Sequence, residues 1–199
     1  MECLQNQKIK YEVNELTLNF FKKSIFNGEI FIIKKTEEIE NIIKIVESHL
    51  SNVLDKTSKD FLNLQIINDN ETDFLFKLLQ NRVKLCNQIR KGFGAFLSKI
   101  GFKTNLTYMD LITLRFSPGK KTRSLGTLKP TEAHRDTWAS NVMNQINFWF
   151  PIHNVSKLNS IYLATDYFKK KVENNSKHWS FNNYKKKKTI HQFRLQIMK

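Results

Sequence analysis

Apolar and polar positions in the first hundred residues follow the three- and four-residue steps of amphipathic helices. The pattern predicts a first helix over residues 13–26, after which Asn27-Gly28 supplies a turn. The short β-branched run at residues 29–33 predicts a buried strand. A second helix, capped by Thr36, is expected to bury an apolar stripe that continues to Val53.

A longer apolar stripe over residues 72–99 predicts one long helix that ends at Gly101. Its apolar positions are Phe74, Leu75, Leu78, Leu79, Val83, Leu85, Ile89, Phe93, Phe96 and Leu97. The pattern then changes, since residues 111–116 are typical of a strand and residues 117–120 of a turn. Residues 120–130 have no hydrophobic period and predict a loop. Helices are therefore expected first and strands afterwards.

Composition supports a folded chain of one domain. The 199 residues are 40% hydrophobic and 26% charged, and they include 16 Phe, which excludes a disordered chain. There is no apolar run of membrane-spanning length and no secretory signal, so we expect a soluble, cytoplasmic protein without a membrane partner. Cys3 and Cys86 have neither metal-site spacing nor the pattern of a disulfide framework.

The net charge of +15 raises the question of a nucleic-acid partner. Residues 156–199 hold eleven basic and only two acidic side chains, so more than half of the excess lies in the last part of the chain. Lys, Asn and Ile are abundant throughout and Gly and Pro are scarce, as in proteins encoded by AT-rich genomes. This distribution argues against nucleic acid as the main partner.

The sequence His134-Arg135-Asp136 places an imidazole and a carboxylate two residues apart. In an extended chain such side chains project from the same face, so the pair is suited to chelating one metal ion. Non-haem Fe(II) enzymes use two His and one carboxylate and leave coordination positions open. By itself the pattern is weak, because chance yields about 0.2 such pairs at this composition, and the surrounding sequence has to decide.

That context is T-E-A-H-R-D-T-W at residues 131–138, followed by N-Q-I-N-F-W-F-P-I at residues 144–152. The sequence here resembles the Fe(II)/2-oxoglutarate-dependent dioxygenases, in particular phytanoyl-CoA-dioxygenase-like proteins with an H-R-D-T-W segment and a following Q-I-N-W-W-x-P-I strand. Residues 110–116, 159–160 and 167–176 are similar to further segments of that family. The resemblance covers about residues 108–184.

The resemblance implies an α+β fold in which N-terminal helices pack on a partial double-stranded β-helix, or jelly-roll barrel. We expect a single domain over residues 1–199, mainly helical over 1–101. Residues 102–184 would form the N-terminal portion of the jelly-roll, and residues 185–199 a basic tail.

The resemblance also implies that His134 and Asp136 are ligands of Fe(II) and that 2-oxoglutarate is the co-substrate. In that family, dioxygen oxidises 2-oxoglutarate to succinate and carbon dioxide while a C–H bond of the substrate is hydroxylated. The substrate class is a small or carrier-linked molecule, and the protein contributes geometry and exclusion of water.

Three further residues are candidates for co-substrate binding. Gln145 and Asn147 share one face of the predicted strand, where they would bind co-substrate oxygens or satisfy neighbouring backbone groups. Arg115 lies in an apolar strand, where it would either pair with a carboxylate or extend to the surface. The sequence leaves both alternatives open.

The chain also departs from the family pattern. The family's second iron-binding His and the basic residue for 2-oxoglutarate lie far downstream, and no counterpart precedes Lys199, so a truncated chain with an incomplete triad is expected. His191 and Arg194 are too close together to fill both roles. His153 and His178 are interpreted as surface or core residues.

Two other functions remain open from the sequence. One is a catalytically silent fragment or pseudoenzyme that acts as a binding module, which the incomplete triad favours. The other is a basic nucleic-acid-binding protein that uses the lysines at residues 169–171 and 185–188 together with Tyr184 and Phe193.

Overall fold

A computed structural model of the chain describes residues 8–11, 17–54, 69–116, 134–137, 142–156 and 160–172. Several predicted features lie outside these residues. They are the N-terminal part of the first helix at 13–16, the turn and loop at 117–130, the basic tail at 185–199, and the side chains of Cys3, His178, Tyr184, His191, Phe193 and Arg194.

Among the described residues, four helices and two strands precede residue 100. The elements are β1 (Lys8–Tyr11), α1 (Leu18–Phe26), β2 (Ile30–Ile33), α2 (Glu37–Leu54), α3 (Asp69–Leu85) and α4 (Asn87–Lys99). β1 pairs with β2 in parallel, with Lys8 opposite Ile30. In the described part of the chain after residue 100, 3₁₀ turns lie at Thr104–Leu106 and Thr165–Tyr167. The prediction of β2 is confirmed, whereas β1 was not predicted.

α1 ends at the predicted Asn27-Gly28 turn, and α2 begins after the predicted Thr36 cap. α1 is followed by Asn27 and by Gly28, whose φ of +96° is a conformation that glycine adopts without strain. At the start of α2, the Thr36 hydroxyl accepts a hydrogen bond from the Ile39 amide at 3.5 Å. The α2 stripe is buried at Ile39, Ile42, Val46 and Leu50, as its spacing predicts.

The prediction of one long helix over residues 72–99 is wrong, because the chain breaks at Cys86 between α3 and α4. Val83 and Ile89 are both fully buried although six residues separate them. In a continuous helix these positions would lie about 120° apart around the axis. The extended backbone of Cys86 changes the phase, so that both side chains enter the core.

Two apolar residues of the predicted stripe do not join the core. Phe74 is 65% exposed and Leu85 is 76% exposed. Leu85 directly precedes the break, where the stripe changes direction. The buried positions of α3 are Phe76, Leu79 and Val83, which keep the spacing of a single helical face.

α2 packs against both α3 and α4, and an ion pair joins its first turn to the end of α4. The Lys99 ammonium lies 3.1 Å from a Glu38 carboxylate oxygen. The pKa of Glu38 is lowered from its ordinary value of 4.5 by its own backbone N–H, by the Thr36 hydroxyl and by Lys99.

Two glycines of α4 differ in their surroundings and provide a test of how closely α2 approaches. A Cβ on Gly92 would lie 3.1 Å from Ile42 of α2, whereas a Cβ on Gly94 would meet nothing within 4 Å. Gly94→Ala is therefore expected to raise the free energy of unfolding by about 1 kcal/mol, because alanine is the better helix former. Gly92→Ala should stabilise the protein less than this, since Ile42 must move to make room for the new methyl group.

Urea denaturation of both variants beside the wild type measures the difference. Equal stabilisation by the two substitutions would show that α2 and α4 are farther apart at Gly92 than the structure places them.

Helices are confirmed in the N-terminal half, but the described residues do not form a jelly-roll. Residues 107–116 and 145–152 belong to no hydrogen-bonded sheet. Over residues 112–116 and 146–150, however, their side chains alternate between half-buried and exposed, as in strands. In both segments the half-buried side chains pack on the helical core. Among the described residues, no helix combines the length and the apolar character needed to cross a membrane. A cytoplasmic location stays a prediction.

Candidate metal centre

Phe148 fixes the orientation of the segment at residues 145–152. Its ring lies among four aromatic rings of the helical core, at centroid distances of 6.1 Å to Phe21, 5.6 Å to Phe93, 5.8 Å to Phe96 and 6.3 Å to Phe102. Most of these rings meet edge to face, an arrangement that aromatic quadrupoles favour. The apolar neighbours Ile146 and Phe150 also pack on the core.

The opposite face of this segment consequently carries polar side chains away from the helices. Asn147 and Trp149 are exposed, since successive side chains of an extended chain point to opposite sides. The Gln145 amide donates a hydrogen bond to the Asn147 carbonyl oxygen at 3.2 Å. The sequence prediction that these two residues share a face is thus confirmed.

His134 and Asp136 lie side by side. His134 Nε2 is 3.1 Å from Asp136 Oδ1, and the two side chains are 40% and 54% exposed. The backbone at residues 136 and 137 is helical, so the pair is not carried by a regular strand. The side chains nevertheless converge, as expected for a chelating pair.

The spacing of the pair is that of a hydrogen bond, and it also fits two ligands on one metal ion. If each metal–ligand bond is about 2.1 Å long, two ligands at a right angle lie about 3.0 Å apart. The observed separation of 3.1 Å between His134 Nε2 and Asp136 Oδ1 agrees with this value. An imidazole nitrogen and a carboxylate oxygen are also the donors that non-haem Fe(II) uses.

Asn147 connects the strand-like segment to the pair. Its side-chain amide donates a hydrogen bond to Asp136 Oδ2, so both carboxylate oxygens have a partner. His134, Asp136, Asn147 and Gln145 therefore form one connected polar cluster. Sequence reasoning selected all four residues, but it did not predict that Asn147 binds the carboxylate.

Arg115, the fifth predicted site residue, is placed differently. It is exposed on the side of its segment opposite Leu114 and Phe116. The Leu114 carbonyl oxygen accepts a hydrogen bond from Gln80 of α3 at 2.9 Å, and the Phe116 ring stacks on Phe76 at 3.8 Å. The described contacts include none between Arg115 and the His134–Asp136 pair, so its role stays a prediction.

Arg135 is a site residue that sequence reasoning missed. Its Nη2 donates hydrogen bonds to the backbone carbonyl oxygens of Tyr167 and Lys170. Its position between the two predicted ligands was the only sequence signal that Arg135 belongs to the site. Its acceptors are backbone groups more than thirty residues away, and the order of side chains does not indicate such contacts.

The remaining histidines of the described part do not join the pair. His153 is half-buried in a groove of about 560 Å³ that Lys35, Glu40 and Glu47 also line. His49 lies in α2, and its Nε2 is buried without a hydrogen-bond partner. No group of three or more His, Cys, Asp or Glu side chains within the described ranges is placed to hold a metal ion.

The lysines at residues 169–171 are exposed, and Lys170 lies over the Tyr167 ring at 5.5 Å. This contact lies within the chain and is stabilising by itself, so it is not evidence for a nucleic-acid partner. The nucleic-acid alternative stays a prediction.

Comparison of the chain with family models, with curated proteins and with solved structures finds no match. The motif residues and the cluster that they form therefore carry the functional assignment proposed below.

Proposed function

We propose that the chain is a non-haem Fe(II)/2-oxoglutarate-dependent dioxygenase of the phytanoyl-CoA-dioxygenase-like type, with His134 and Asp136 as iron ligands. The observation that carries the proposal is the 3.1 Å approach of His134 Nε2 to Asp136 Oδ1, which suits two adjacent ligands. Asn147 and Gln145 adjoin this pair and support it as the polar side of one site.

The residues present supply two donors of the kind that Fe(II) requires. When bound, iron would bring 2-oxoglutarate and dioxygen together, and the overall reaction converts substrate R–H, 2-oxoglutarate and dioxygen to R–OH, succinate and carbon dioxide. His134 binds as the neutral imidazole and Asp136 as the carboxylate, so both lose their mutual hydrogen bond on binding. The third protein ligand is not assigned.

Asn147 is suited to orienting Asp136. Its amide holds Oδ2, which leaves Oδ1 on the side of His134. Outer hydrogen bonds of this kind fix the direction of a ligating carboxylate and tune metal affinity. Gln145 in turn donates to the Asn147 oxygen and so selects the amide orientation in which the Asn147 nitrogen faces Asp136.

The finer fold is also a proposal. We propose that residues 107–116 and 145–152 belong to the sheet of a jelly-roll that packs on the helices. Support comes from the half-buried side chains of both segments, which contact the helical core, and from the polar and exposed side chains on the other face. In a barrel that second face would be the interior, where such enzymes bind iron and co-substrate.

Anaerobic titration of the purified chain with Fe(II) in the presence of 2-oxoglutarate tests the function. We expect the weak visible charge-transfer band of the chelated complex, and formation of succinate once oxygen is admitted. A band without succinate, under any substrate tried, would favour the catalytically silent binding module. A folded sample that gives no band would contradict the metal site itself.

A further inference from the structure

Arg135 is more enclosed than the two predicted ligands beside it. His134 and Asp136 are exposed, whereas Arg135 is half-buried because its guanidinium reaches the carbonyl oxygens of Tyr167 and Lys170. Hydrogen bonds from a charged donor are stronger than neutral ones. The short stretch that carries the pair is thus tied to a distant part of the chain.

The segment that accepts these hydrogen bonds has internal order. The Tyr167 amide donates to the Ala164 carbonyl oxygen at 3.1 Å, and the Phe168 amide donates to the Thr165 carbonyl oxygen at 3.0 Å. These bonds close the 3₁₀ turn at Thr165–Tyr167. The two acceptor carbonyls therefore belong to a short structured turn and its continuation.

The same turn is held against the helical layer at Gly28. A Cβ on Gly28 would lie 2.8 Å from Cδ1 of the Phe168 ring, so the ring fits against the glycine backbone. Gly28 connects α1 to β2 and has a φ of +96°. Residues 167–170 thus make both contacts: the Phe168 ring packs on Gly28, and the Tyr167 and Lys170 carbonyl oxygens accept hydrogen bonds from Arg135.

We propose that residues 164–170 act as a clasp that holds the His134–Asp136 pair in its metal-binding position, with Arg135 as the positioning residue. The proposal rests on the proposed function, because it takes the pair to be the metal ligands. Through Arg135, the clasp links the orientation of two ligands to the Gly28 turn of the helical layer.

Replacing Arg135 by lysine keeps the positive charge but removes the planar guanidinium that reaches two carbonyl oxygens together. We expect Arg135→Lys to weaken Fe(II) binding in the presence of 2-oxoglutarate by about 10- to 100-fold, the effect typical of residues that orient ligands. The visible band of the residual complex should also shift, because the ligands take another arrangement. Arg90→Lys, at an exposed position of α4, is the matched control.

Hydrogen exchange of the amides at residues 164–170 gives a readout that needs no metal. In the metal-free protein, Arg135→Lys should speed exchange there, and Phe168→Ala should do so by removing the contact with Gly28. Faster exchange together with weaker binding supports the proposal. Unchanged exchange in Arg135→Lys, or unchanged metal affinity and band position, overturns it.

The two proposals fail in different ways. If the wild type binds no Fe(II), the metal function fails and the positioning role fails with it, whatever the exchange data show. If the wild type binds Fe(II) and Arg135→Lys binds equally well, the metal function stands and the clasp alone is wrong.

Discussion

Replacing His134 by alanine is expected to abolish the visible Fe(II)–2-oxoglutarate band and to weaken metal binding by at least about 100-fold. The change removes a donor atom itself, so the loss should exceed the 10- to 100-fold effect of losing a residue that orients a ligand. Asp136 would then be the remaining member of the pair, and a lone exposed carboxylate selects poorly among divalent ions.

His153→Ala is the matched control for this experiment. It removes the same type of side chain, an imidazole, from a different place on the surface, the groove lined by residues 151–155. Both variants are compared by Fe(II) titration after circular dichroism has confirmed that they fold. A normal band in His134→Ala, or its loss in His153→Ala, would assign the metal to other residues.

Truncation of Phe148 should give the largest loss of stability at the boundary between the helices and the site. Phe148 contacts four core rings, so Phe148→Ala is expected to lower the free energy of unfolding by about 3 kcal/mol, at the low end for phenylalanine because the ring is half-buried. Since the same segment presents Asn147 to Asp136, metal affinity should fall as well.

The next residue supplies the control. Trp149 is 47% exposed and lies on the other face, so Trp149→Ala should change the unfolding free energy by about 0.5 kcal/mol or less. Thermal and urea unfolding of the two variants measure the contrast. Equal losses would mean that the segment is not oriented with Phe148 toward the helices.

The sequence predicted the helices well where the apolar residues stay on one face over the whole length of the helix. α2 is the clearest case, because a threonine cap and a regular stripe specify both its start and its buried face. The break at Cys86 was missed because apolar residues continue at three- and four-residue spacing across it. The spacing alone therefore does not reveal that the buried face shifts at this residue. β1 was missed because two of its four residues are lysines, which are not typical of strands.

For the candidate site, the local pattern indicated which neighbouring side chains lie close together, but it did not indicate the long-range contacts. Residues two apart share a face of an extended chain, which placed Gln145 with Asn147. His134 and Asp136 also converge, although the backbone at residue 136 is helical. The bond from Asn147 to Asp136 and those from Arg135 to the Tyr167 and Lys170 carbonyls depend on tertiary structure. Such contacts have no periodic signature, so side-chain order along the chain could not indicate them.

The interruption at Cys86 also separates the helices that contact residues 107–116 and residues 145–152. α3 holds one segment, through Gln80 and through the ring of Phe76. α4 holds the other, through Phe93 and Phe96 against Phe148. Any change in the angle between the two helices at Cys86 is therefore expected to move these segments relative to each other.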